Sequence, residues 1–118
     1  MGTAYRLDLA VADFALGDST SAQRELGGVL TMLNGMIAAG VERHGTYELR
    51  AKALALRGQS DNAMQDLKRA AKLGWRRAWW ATHEPYFASL WPRSDFQALI
   101  NEVSRSNDRL KENIKTDR

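Results

Sequence analysis

Steps of seven and five residues between small side chains constrain this chain more than any other feature. Gly58 stands seven residues after Ala51 and five before Ala63, and Ala70 follows Ala63 by seven. Glycine suits a tight turn because it reaches positive φ without a steric clash. Alanines seven apart share one helix face, and their small size lets a second helix approach closely. The pattern predicts two antiparallel helices that cross near these alanines, with Gly58 in the turn. The same arrangement surrounds Gly17, 41 residues upstream of Gly58, with Ala10 seven before it and Ala22 five after it. Two matching hairpins are the mark of a helical repeat.

Composition agrees with a helical reading. At 118 residues the chain suits one domain, and 44% apolar residues are enough to build a core. The only prolines are Pro85 and Pro92, so the first 84 residues lack the strongest helix breaker. An all-α fold follows. The absence of cysteine excludes disulfides, thiolate metal sites and cysteine nucleophiles, and leaves the compartment open. Arg6, Asp8 and Asp13 interrupt any apolar run near the start, so no secretory leader is expected. A net charge of +3 is too mild to indicate nucleic acid.

Apolar periodicity places the helices. Residues 4–16 carry Leu7, Ala10, Val11, Phe14 and Ala15 on one face, ended by Gly17-Asp18-Ser19. Thr20 and Gln23 have the spacing of a capping box, and the helix they open shows Leu26, Val29, Leu30, Leu33 and Ile37. Residues 26–41 are uncharged, but these sixteen fall short of the ~20 needed to span a bilayer. A buried helix, not a transmembrane one, is expected, with its glycines marking a close contact or a kink. Residues 43–57 carry Tyr47, Ala51, Leu54 and Ala55; residues 61–73 carry Ala63, Met64, Leu67, Ala70 and Ala71. Gly74 then follows a last turn rich in Lys68, Arg69 and Lys72, as a helix C-terminus favours. Ser94 and Gln97 form a second capping-box spacing before Phe96, Leu99, Ile100 and Val103. Leu110 and Ile114 extend that face, but fraying is expected beyond about residue 110.

Tyr47, Ala51, Leu54, Gly58, Ala63, Leu67 and Ala70 together resemble the tetratricopeptide (TPR) repeat family. The first unit departs from the family pattern at Arg6, Asp13 and Val29, and Trp75 stands where a closing proline is common. The run from Leu73-Gly74-Trp75 through Glu84-Pro85 to Phe96-Gln97-Ala98-Leu99 is similar to the last hairpin and tail of TPR arrays in bacterial signalling proteins. The resemblance implies one all-α domain of antiparallel helical hairpins. Its units would be about 3–41 and 43–76, followed by an aromatic connector (75–92) and a capping helix (94–110). It further implies a non-enzymatic protein–protein interaction scaffold within a larger bacterial signalling or regulatory protein. Two alternatives stand beside it: a homodimerisation module, motivated by the stripe in residues 26–41, and a sensory domain binding a small ligand near the tryptophans. A cytoplasmic location is favoured over a periplasmic one.

The expected recognition surface is a groove lined by the first and third helices, which a partner segment would enter. Arg50, Lys52 and Arg57 would meet its acidic groups. Trp75, Trp79, Trp80 and Trp91 fall within seventeen residues, joined by Tyr86 and Phe87. Read as core, Trp75 and Trp79 plug the end of the stack; read as recognition, tryptophans beside arginines form a binding hot spot. Adjacent Trp79 and Trp80 cannot share one helix side, so one is expected to pack and the other to be exposed. Lys68, Arg69, Lys72, Arg76 and Arg77 form a basic run without an intervening acid, which suits an acidic peptide better than nucleic acid. The candidate partner-binding residues are therefore Arg50, Arg57, Arg76, Arg77, Trp79 and Trp80.

No catalytic, cofactor or metal site is expected. His44 and His83 are far apart, and Phe87 occupies the position where a second zinc-motif histidine would follow His83-Glu84. None of Asp61, Asp66, Glu84, Asp95 or Glu102 sits in an apolar run that would raise its pKa. The chain has no nucleophile elbow and no phosphate-binding glycine loop.

Overall fold

Glycines shape the C-terminal ends of the first four helices. In the computed structural model, which describes residues 2–116, Gly17 and Gly58 have φ of 80° and 84°, and Gly40 and Gly74 have 91° and 114°. The residue after each glycine donates its N–H to a carbonyl five residues back: Asp18 to Asp13, Val41 to Met36, Gln59 to Leu54 and Trp75 to Ala70, at 2.8–2.9 Å. Orphan carbonyls at the helix ends are thereby satisfied.

The elements are α1 (Thr3–Ala15), α2 (Ser19–Ala38), α3 (His44–Leu56), α4 (Ser60–Lys72), the single-turn α5 (Ala78–Ala81), a 3-10 helix (Pro85–Leu90) and α6 (Ser94–Thr116). No strand occurs among the described residues, and the fold is all-α, built on helical hairpins. None of these helices is long and apolar enough to cross a membrane. Helices α1 and α2 form one hairpin, α3 and α4 the next, and α2 packs against both α1 and α3.

Two apolar clusters hold the hairpins together. The first joins Leu7 and Ala10 of α1 to Ala22, Leu26, Val29 and Leu33 of α2, with Ala53 of α3 beneath them. The second joins Ala51, Ala63, Met64, Leu67 and Ala70 to three fully buried aromatics, Trp75, Phe87 and Phe96. Burying a large apolar side chain contributes about 1.5–3 kcal/mol. Phe96, Leu99 and Val103 lay the first half of α6 over the end of this cluster. Beyond Val103 no described side chain of α6 is buried.

Several local expectations change in the folded chain. Helix α2 is capped by Asp18, whose Oδ1 accepts the Ser21 N–H at 3.1 Å, and Thr20 already lies inside the helix. Ser94 and Gln97 form no capping box: the Asp95 carboxylate accepts the Phe96 N–H at 2.9 Å, and the Gln97 amide donates to the Trp91 carbonyl at 3.1 Å. Helix α6 runs past residue 110 to Thr116, through a stretch free of glycine and proline. One unusual polar residue of α1, Arg6, also finds a place. Arg6 pairs with Glu25 at 3.2 Å and lies over Gly28, where an added Cβ would sit 2.8 Å from its guanidinium. Gly28 thus marks a close contact rather than a kink.

Candidate functional site

The basic and aromatic candidates fall into two separate places. Arg50 and Arg57 project from α3 into a cleft of about 600 Å³ between α2 and α4. Arg50 is already engaged there: Nε and Nη2 grip both oxygens of Asp66 at 2.7 and 2.8 Å, and Nη1 donates to Asn34 at 3.1 Å. Asp66 is buried, and bidentate arginine–carboxylate pairs are the stronger kind. The Asp66 hydrogen bonds raise the Arg50 pKa above its usual value. Arg50 therefore ties α3 to α4 and α2. Arg57 is exposed and donates to Gln23 at 3.1 Å.

The face shared by α1 and α3, where a partner groove was expected, is crossed by the chain's own connector. Lys52 pairs with Glu84 at 3.5 Å and lies 4.7 Å from the centre of the Tyr86 ring. The Tyr86 hydroxyl donates to Asp8 of α1, and Ser89 Oγ donates to the Ala55 carbonyl at 3.4 Å.

The other candidates meet at the corner after α4. Gly74 turns the chain so that Trp75 drops into the core, where its indole N–H donates to the buried Glu48 carboxylate at 2.9 Å. Arg77 lies 3.6 Å from the same carboxylate and 3.3 Å from Glu84, so two acids already compensate it. Helix α5 then buries its two alanines, Ala78 and Ala81, and leaves both tryptophans out, Trp79 60% and Trp80 50% exposed. This differs from the expected division into one packed and one exposed ring. Small residues at i and i+3 of a one-turn helix take the inward side, and the two positions between them point away. Trp75 alone plugs the stack.

The exposed rings are held in a defined arrangement. They meet edge to face, with centroids 4.9 Å apart and planes at 88°. Trp79 stacks on His83 at 3.9 Å with planes 15° apart, and the Arg77 guanidinium lies 5.6 Å from the Trp80 ring centre. His83 Nδ1 and Thr82 Oγ1 both bond the Trp79 carbonyl, at 2.7 and 2.8 Å, and so end the turn. Between this corner and α6 lies a cleft of about 270 Å³, lined by Arg76, Trp79, Trp80, Asn107, Asp108 and Lys111. Asn107 donates its side-chain amide to the Arg76 carbonyl at 3.1 Å, which fixes α6 as the far wall.

Chemically, the corner offers two aromatic faces, two cations without a carboxylate partner among the described residues (Arg76 and Lys111), the Asp108 carboxylate and one fixed amide. Sequence reasoning missed the α6 wall and His83. The spacing of Trp79 and His83, four residues apart, was the available signal for the stack. Helix α6 gave none, because its contact with residue 76 spans 31 positions. Among the described residues no three of His, Asp and Glu converge as a metal site. Neither a family model nor a curated protein nor a solved structure matches this chain.

Proposed function

We propose that this chain is a non-enzymatic protein-interaction module, a TPR-like scaffold that recognises a partner through the Trp79–Trp80 corner. The observation that carries the reading is that α5 buries alanines and exposes adjacent tryptophans. Exposed apolar clusters edged by polar groups mark interaction sites, and Trp and Arg are the side chains most enriched at binding hot spots. A partner segment would set an apolar side chain against the rings and an acidic group toward Arg76 and Lys111. Since Arg77 is held by Glu48 and Glu84, its role is to steady the Trp80 ring. The resemblance noted in the sequence supports a role for such a module within a larger bacterial signalling or regulatory protein.

Affinity capture with the whole chain as bait, under nuclease, tests the reading. A discrete protein should be retained at physiological salt and lost with Trp80→Ala. Titration of that purified protein should then shift tryptophan emission to shorter wavelength. Retention unchanged by Trp79→Ala and Trp80→Ala together sinks the proposal. The second reading, a homodimer, is favoured by Tyr5, Leu16 and Met32, large apolar side chains exposed on the first hairpin. Light scattering that shows only the 13.2 kDa species at high concentration removes it.

A further inference from the structure

A second cleft, of about 430 Å³, runs between α4 and α6 on the flank of α6 away from the tryptophan corner. Its apolar lining is Ala71, Ala98, Leu99 and Val103. Lys68 and Lys72, one turn apart on α4 and about 6 Å from each other along its axis, line one wall, and Arg76 follows beyond the Gly74 turn. All three are exposed, and none forms an ion pair among the described residues; Arg76 donates only to the Trp75 carbonyl. On the α6 wall, Asp95 pairs with Arg93 at 3.0 Å and also feels the charge of Lys68, while Glu102 forms no ion pair among the described residues. The groove is therefore cationic along one side and apolar at its base. The wider charge distribution points the same way. Through residue 60 the chain has six basic and six acidic residues, and afterwards eleven against eight, so the whole net charge of +3 lies in the second half.

We propose that the α4–α6 groove is a docking channel for an acidic amphipathic helix. This rests on the interaction-module reading but uses a different cleft, which shares Arg76 with the corner. Glutamates at i and i+4 of a partner helix also rise by about 6 Å, matching Lys68 and Lys72. An extended segment would bring unpaired backbone N–H and C=O groups onto a base of alanine, leucine and valine that offers them no partners, whereas a helix satisfies its own. Ala71 and Ala98 leave room for close helix packing. No aromatic side chain lines the groove, so it has nothing on which nucleic-acid bases could stack.

A fluorescein-labelled helical peptide of alanine and leucine, with glutamate at every fourth position, tests the channel by anisotropy against the whole chain. Saturable binding is expected, at least tenfold weaker with Lys68→Glu/Lys72→Glu and recovered by a peptide carrying lysine in place of glutamate. Trp79→Ala/Trp80→Ala should leave this binding unchanged, and circular dichroism checks that each variant folds. The proposal is overturned by absent binding, by insensitivity to the charge reversal, or by equal binding of a proline-interrupted peptide of the same charge. Loss of a captured partner with the tryptophan variants, alongside failure of the peptide, would retain the corner and discard the channel. Peptide binding without any effect of the tryptophans on capture would do the reverse.

Discussion

The α1–α2 hairpin and the α3–α4 hairpin share the same turn, a glycine at φ 80° or 84° followed by a five-residue return hydrogen bond, yet they are closed differently. The first is sealed mainly by aliphatic side chains and α3, with Tyr86 of the connector at one edge, and its outer side leaves Tyr5, Leu16 and Met32 in solvent. The second is enclosed by the connector and α6, with Trp75, Phe87 and Phe96 fully buried. The same local pattern thus yields a lightly held unit and a clamped one. Closure comes from what lies beyond the hairpin, not from its own spacing.

The largest expected break in that contrast is Trp75→Ala. It removes a fully buried indole and its bond to Glu48, and should cost about 3–5 kcal/mol in urea unfolding. Leu26→Ala in the first cluster should cost about 2–3 kcal/mol, at the low end for its type because alanine and glycine neighbours let the site relax. Native-state hydrogen exchange sharpens the point. Amides of α1 and α2 should open at a free energy below the global value, while those of α3 and α4 should not. A single opening energy across all four helices would erase the distinction.

Smaller changes should treat the hairpins alike. Gly17→Ala and Gly58→Ala should each cost about 1–2 kcal/mol, because both glycines occupy left-handed backbone and neither has a neighbour that a methyl would strike. Unequal costs would show that the turns are not equivalent. The smallest expected effect is acid sensitivity. Asp18, bonded by the Ser21 backbone, and Asp95, bonded by Arg93, both titrate below the ordinary 3.8. A lowered folded pKa means the folded state binds fewer protons than the unfolded one. The stabilisation is therefore complete above 3.8 and is lost as pH falls below it. Asp18→Asn should weaken the acid dependence of the first hairpin alone, read from the exchange of α2 amides against pH.

How far the sequence revealed this fold depends on range. The spans of α1, α3 and α4 and their turns were readable to within a residue or two, because 3.6-residue periodicity and positive-φ glycine are local signals. The TPR resemblance rests on the same local signals. Helix α6, by contrast, runs six residues beyond its expected end, and the connector holds two short helices. Charge pairing was not readable. Arg50 looked like a free cation on a helix face, but its partner Asp66 is sixteen residues away on another helix. Asp18 displaced Thr20 as the cap because a carboxylate one residue before the helix reaches the free N–H groups from outside. At the candidate corner, the residue types were legible and their orientation was not. Which of Ala78, Trp79, Trp80 and Ala81 faces inward is set by where Trp75 and α6 fix the ends of that turn.

The connector that crosses α1 and α3 also has a temporal consequence. The Tyr86 contact to Asp8 closes a separation of 78 residues. At about 5–20 residues per second, a ribosome adds those residues in roughly 4–16 s. During that interval the first hairpin can assemble from neighbouring contacts, but its α3 side lacks its cover. A nascent chain halted before residue 84 should therefore present this face to chaperones, and the finished chain should not.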